Sequence, residues 1–217
     1  MKARIREAVA RLIDPSGRFA LFTLASAGSF LHDIGWFRSF RQKECVDLAG
    51  RPIPWITYAS LQFLEPRLKR EMSVFEYGSG SSTLWWAERV RQVISCEHDE
   101  SWHARVSKRC PSNVQLHQIA LVTGGEYSRK VGQCEVAFDI VVIDGRDRVN
   151  CARNAVGALK QGGVIVWDNS DRELYREGYE FLASSGFRRL DFWGMGPLSP
   201  ARWCTSVFYR PGNCLEV

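Results

Sequence analysis

From residue 73 onward, short apolar runs alternate with amphipathic stretches. SVFEY (73–77), QVISCE (92–97), VQLHQIA (114–120), FDIVVID (138–144) and GVIVWD (163–168) are separated by segments of helical character around 82–90, 100–109, 148–160 and 171–185. Runs that are apolar on both faces suit strands of a parallel sheet, because helices cover such a sheet on both sides. Two further runs, FRRLDFW (187–193) and CTSVFYR (204–210), are joined by a Gly/Pro-rich connection instead of a helix. That predicts an antiparallel pair closing one edge. The pattern as a whole predicts an α/β, doubly wound architecture.

Before residue 73 the pattern is less regular. MKARIREAVARLI (1–13) sets Ile5, Val9, Leu12 and Ile13 on one helical face, and Pro15-Ser16-Gly17 ends it. Pro52 and Pro54 break the chain again before a second helical stretch, WITYASLQFLE (55–65). The 217 residues suffice for one substantial core, so residues 1–70 read as a helical extension on a main domain spanning 71–217. The stretch FALFTLASAGSFL (19–31) is too short and too diluted by Ser, Thr and Gly for a transmembrane span. No small-residue cleavage site follows to make it a secretory leader.

Charge changes this picture in one place. Of the net +5, residues 1–70 hold 12 Lys/Arg against 6 Asp/Glu, leaving 17 against 18 for the rest. The helix at 1–13 could therefore suit an anionic membrane surface or acidic partner, or be a solvated helix packing one face on its own domain. Seven cysteines, an odd number without a C-x-x-C pair, read as reduced thiols of a cytoplasmic protein.

Candidate chemistry begins at FEYGSGSSTLWWA (75–87). A bare loop between a buried strand and a helix start lets the backbone approach a ligand and offers it unpaired N–H groups. Gly78 and Gly80 make the approach, Ser81 or Ser82 caps the helix, and Trp85 and Trp86 anchor it. Nicotinamide and flavin enzymes share the device. Here, however, Thr83 stands where their third glycine would fall, and Glu76 lies inside the strand, where a carboxylate needs a partner. Glu97 ends the next strand, placed to bind the two hydroxyls of a ribose.

VFEYGSGSST, VISCEHD, FDIVVIDG and LKQGGVIVWDN, in this order and at these separations, resemble the class I S-adenosylmethionine-dependent methyltransferases. The resemblance covers residues 73 to about 185 and, with the terminal strand pair, most of the chain beyond 73. It implies a Rossmann-like, seven-stranded sheet in the order 3-2-1-4-5-7-6 with the last strand antiparallel, residues 1–70 serving as a substrate cap. It implies that Glu76 and the backbone of Gly78, Ser79, Gly80, Ser81 and Ser82 hold the methionine portion of S-adenosylmethionine. Glu97 would hold the ribose, with His98, Ile119 and Ala120 near the adenine and Asp144 adjoining the cofactor.

Asp144 closes the fourth apolar run and Asp168-Asn169 the fifth. Two carboxylates and an amide carbonyl are hard oxygen ligands, and the pattern is similar to that of catechol, caffeoyl-coenzyme A and some sugar O-methyltransferases. The resemblance implies magnesium or calcium on Asp144, Asp168 and Asn169, lowering the pKa of a substrate hydroxyl. Catechol-type enzymes carry a lysine base three residues beyond the first Asp. This chain has Asp147 there, leaving it as a base or fourth ligand; His98 and Asp171 are further proton acceptors, with Tyr175 to orient a hydroxyl.

Aromatics and arginines in 28–40, 52–58, 145–150 and 193–203, among them Trp36, Tyr58 and Arg146, suit a sugar or phenolic acceptor. The expected function is methyl transfer to a hydroxyl oxygen of a small molecule, a saccharide or secondary metabolite. No nucleic-acid partner is expected, and a homodimer is compatible with the sequence. One rival is a nucleic-acid methyltransferase using the basic extension; DGRD stands where such enzymes place an N-P-P-Y-like tetrapeptide. A non-catalytic binding module is the other, and it would have no use for an intact EYGSGSS loop.

Overall fold

The apolar runs form strands β1 (Ser73–Tyr77), β2 (Gln92–Glu97), β3 (Val114–Gln118), β4 (Phe138–Ile143), β5 (Leu159–Asp168), β6 (Arg188–Gly196) and β7 (Ser199–Tyr209). They make one seven-stranded sheet in the order β3-β2-β1-β4-β5-β7-β6. Neighbours from β3 to β5 pair in parallel, whereas β7 runs antiparallel to both β5 and β6. The expected order and the antiparallel closing pair are both present. The computed structural model describes residues 17–217, so the helix expected at 1–13 lies outside the described residues.

Before β1 stand α1 (Arg18–Ala25), α2 (Phe30–Asp33), α3 (Trp36–Gln42) and α4 (Tyr58–Leu64), and between the strands stand α5 (Ser81–Ala87), α6 (Glu100–Ser107), α7 (Glu126–Arg129), α8 (Arg148–Ala155) and α9 (Arg176–Ser184). Where the elements depart from expectation, the cause is local. β6 and β7 extend toward one another until Gly196 pairs with Ser199, so the Gly/Pro-rich connection is a tight hairpin instead of a long loop. β3 is two residues shorter than its apolar run. Ile119 still donates its N–H to the Glu97 carbonyl, 2.9 Å away, before the chain leaves the sheet edge.

Alternate strand residues supply two cores, as the period-two geometry of a strand requires. Val74, Val93, Ile140, Val142, Val164, Val166 and Val207 face Trp85 and Trp86 of α5, and with them Ile53, Ile56, Tyr58, Leu61 and Leu64 of the N-terminal part. On the other face, Phe75, Tyr77, Ile94, Val141, Ile143, Ile165 and Trp167 pack against Cys151, Ala152 and Ala155 of α8 and Leu182 of α9. Both consecutive tryptophans are fully buried. They fix the helix behind the glycine loop to the sheet on one side and to residues 53–64 on the other.

Candidate functional site

The loops after β1, β2 and β4 surround a cleft of about 380 Å³ whose walls include Gly78, Ser79, Ser82, Glu97, His98, Asp144 and Arg146. Two glycines permit it. Gly78 has φ of +90°, and a Cβ there would stand 3.1 Å from the Gly145 Cα. A Cβ on Gly145 would in turn meet the Tyr127 hydroxyl at 2.0 Å and the Gly78 nitrogen at 3.0 Å. The first and fourth strand ends thus pack backbone against backbone, which only glycine allows.

Glu76 lies within the sheet at 1% exposure. Its Oε2 accepts hydrogen bonds from the hydroxyls of Thr83 (2.5 Å) and Ser95 (3.3 Å), while Oε1 has no protein partner. Burial pushes its pKa up to about 7 despite the hydroxyl donors. A buried carboxylate oxygen left open beside a glycine loop fits a cationic ammonium group. Thr83 has a second role, since its hydroxyl also accepts the Gly80 N–H at 3.0 Å. The expected Ser81 or Ser82 cap is therefore corrected: α5 starts at Ser81, Gly80 is its N-cap, and Thr83 reaches back from inside the helix. A Thr three positions after an N-cap is the signal that could have been read.

Glu97, 4% exposed, ties two loops together. It accepts the Ser79 N–H (3.1 Å) and hydroxyl (3.2 Å), and the N–H groups of His98 (2.8 Å) and Asp99 (3.0 Å). His98 Nδ1 lies 2.9 Å from Glu97 Oε1 but off the line of a hydrogen bond, so it stays unpartnered. Sequence reasoning missed Trp102 and Arg105, which line the same cleft. The Trp102 indole N–H donates to the Ser79 carbonyl at 2.7 Å, and the Arg105 guanidinium lies 4.7 Å from the indole ring. Trp55, half-exposed, contributes from the segment before α4. Ile119 and Ala120 follow β3; Ile119 is buried, Ala120 is exposed, and neither is among the cleft-lining residues.

What surrounds the carboxylates does not support the metal expectation. Asp168 Oδ1 accepts from Trp203 Nε1 (2.9 Å) and the Thr205 hydroxyl (2.6 Å), so it is engaged by β7. Asn169 takes a left-handed turn at φ +51°. Arg148, 5% exposed, donates to Asp144 Oδ1 (3.1 Å), to the carbonyls of Asp144 (2.9 Å) and Gly145 (3.1 Å), and to the Asp168 carbonyl. The cation between the ends of β4 and β5 is this guanidinium. Among the described residues no group of three His, Cys, Asp or Glu side chains is gathered for a metal ion, and the donor set does not fit one. Partial burial and the neighbouring Asp168 raise the Asp144 pKa from its ordinary value, with Arg148 opposing.

Asp147 starts α8 at φ +52°, and its carboxylate accepts the Gly124 N–H and the Asn150 side-chain amide, each at 2.8 Å. It serves the neighbouring loop and does not line the cleft. Asp171 accepts the Cys204 N–H at 3.1 Å, and the Tyr175 ring lies 5.5 Å from the Arg148 guanidinium. Tyr58 is buried with its hydroxyl unpartnered, as is the indole nitrogen of the partly buried Trp36.

Comparisons with known proteins agree with this fold. Residues 75–170 match a family model described as a methyltransferase domain. Among solved structures, a methyltransferase-like protein of Silicibacter pomeroyi is 22% identical with a TM-score of 0.53, over 75% of this chain and 91% of that one. Precorrin-6y C5,15-methyltransferase of Geobacter metallireducens is 14% identical, TM-score 0.55, over 70% and 87% of the two chains. A Streptococcus mutans protein in complex with S-adenosylhomocysteine is 10% identical, TM-score 0.53, over 69% and 95%. At these identities the likeness is one of fold. No curated protein matches.

Proposed function

From the premise that this chain carries a class I S-adenosylmethionine-dependent methyltransferase domain, we propose that it methylates a hydroxyl oxygen of a small acceptor, a saccharide or secondary metabolite. The observation that carries the proposal is Asp144. It opens on the cleft with its side chain 28% exposed, held from behind by Arg148, and its pKa is raised by burial. A neutral alcohol is a poor nucleophile until its proton is drawn off as it takes the methyl group, and a carboxylate of raised basicity beside the cleft can receive it.

S-adenosylmethionine supplies an activated methyl group. The chain's residues divide the remaining work. Glu76 holds the ammonium with its free Oε1, the Gly78–Ser82 backbone lies along the methionine portion, and Glu97 meets the ribose once Ser79 yields its hydroxyl contact. His98 and Trp102 flank the rings. Trp55 and Trp102 offer faces for a sugar or aromatic ring, and Arg105 and Arg146 offer charge to its anionic oxygens. Asp144 takes the hydroxyl proton, and the close walls exclude water and align the nucleophile.

The test is methyl transfer to a panel of saccharides and phenols with wild type and Asp144→Asn. The substitution is expected to lower kcat about 100-fold or more while leaving S-adenosylhomocysteine affinity within a few-fold. Equal turnover by the variant would remove Asp144 from the chemistry. Methylation of RNA in preference to every hydroxyl acceptor would favour the nucleic-acid reading.

A further inference from the structure

The segment that looked like a failed membrane span or leader is a short helix with no place in the core. In α1, RFALFTLA, every residue except Arg18 and Thr23 is apolar, and none is buried. Leu21, Phe22 and Leu24 are 66%, 70% and 45% exposed, and Phe30 on α2 is 52% exposed. At ~100° per residue, Leu24, Leu21, Ala25 and Phe22 sweep about 160° of helix surface, wider than the stripe of ~100° that a core-facing helix shows. A helix apolar over so much of its circumference needs an apolar medium more than a single facing stripe.

Two independent features say which medium. The hydroxyls of the segment are spent on its own backbone: Thr23 Oγ1 donates to the Phe19 carbonyl and Ser26 Oγ to the Phe22 carbonyl, each at 2.8 Å, and Ser29 Oγ to the Leu24 carbonyl. A low-dielectric surrounding asks for that, because hydroxyls left open in it are costly. Charge then fixes the sign. Residues 17–43 carry Arg18, Arg38, Arg41 and Lys43 against Asp33 alone, and the sequence before them adds Lys2, Arg4, Arg6 and Arg11 against Glu7 and Asp14. Among the described residues no helix is long and apolar enough to cross a membrane. An apolar helix flanked by cations and too short to span matches a surface of apolar chains beneath anionic headgroups. We propose that α1, with Phe30, docks the protein on the surface of an anionic phospholipid bilayer.

The experiment sediments the full chain with phosphatidylcholine vesicles that contain or lack phosphatidylglycerol, at low and high salt, alongside the double variant Leu21→Asp/Phe22→Asp. Both side chains are exposed, and unchanged S-adenosylhomocysteine binding by calorimetry establishes that the variant folds. The expected result is capture by the anionic vesicles, weakened by salt and reduced about tenfold or more in the variant. Absence of capture, or equal capture of the variant, would overturn the proposal. So would concentration-dependent self-association that the variant abolishes without any vesicle binding, which would assign the face to a second copy of the chain.

Discussion

In the proposed function Glu76 serves binding at the expense of stability. Its folded-state pKa of about 7 lies above the 4.5 of a free glutamate, so between these values the folded protein holds a proton that the unfolded chain has released. Stability must therefore fall as pH rises through that window, by up to about 3 kcal/mol from this group. Glu76→Gln, which mimics the protonated form, is expected to unfold at higher urea than wild type at pH 8 and at a similar concentration at pH 5. The same variant should bind S-adenosylhomocysteine at least about tenfold more weakly at pH 8, since the ammonium loses its carboxylate. Wild-type affinity should itself decline below pH 7, as the carboxylate protonates, whereas the variant's should not. Urea midpoints that stay parallel from pH 5 to 8 would show that Glu76 titrates normally.

At the scale of elements, the site is a meeting of strand ends, and two contacts set how closely they approach. Gly145→Ala places a methyl group against the Tyr127 hydroxyl and the backbone of Gly78. Tyr127 is fully buried and cannot swing aside. We expect a loss of about 1–3 kcal/mol in urea unfolding, with weakened S-adenosylhomocysteine binding, because the displaced loop is a wall of the cleft. Wild-type stability in the variant would mean the loops are looser than they stand. The second contact is Arg148, which bridges β4 and β5 through carbonyl oxygens as well as through Asp144. With that cation built in, turnover should be the same in EDTA and in magnesium, and Arg148→Met should cost about 3–5 kcal/mol by stranding buried charge. Activity lost in EDTA and restored by magnesium would reinstate Asp144 and Asp168 as ligands.

Across the whole molecule, what could be read from sequence was what repeats along it. β1 and β2 were legible to the residue because each is a buried apolar run with a polar stop, and the hairpin edge was legible because no helical stretch separates its strands. Thr83, Trp102 and Arg148 were not, since each acts on a carbonyl, an N–H or a carboxylate supplied by another segment, and backbone atoms leave no letter in a sequence. The cap raises the same point on a larger scale. The loss of regular patterning before residue 73 suggested a division near residue 70, yet Ile53, Ile56, Tyr58, Leu61 and Leu64 share one core with Val74, Trp85, Trp86, Val166 and Val207. Removing residues 1–70 would bare the apolar side of α5 and of the sheet at once. Each large side chain so exposed forfeits about 1.5–3 kcal/mol, which for five of them is comparable to the whole stability of a domain of this size. The full chain should therefore unfold in one cooperative urea transition followed equally by tryptophan fluorescence and far-ultraviolet circular dichroism, and residues 71–217 alone should show none. A truncated chain that unfolds cooperatively and binds S-adenosylhomocysteine would establish instead that the cap is an addition to a self-sufficient domain.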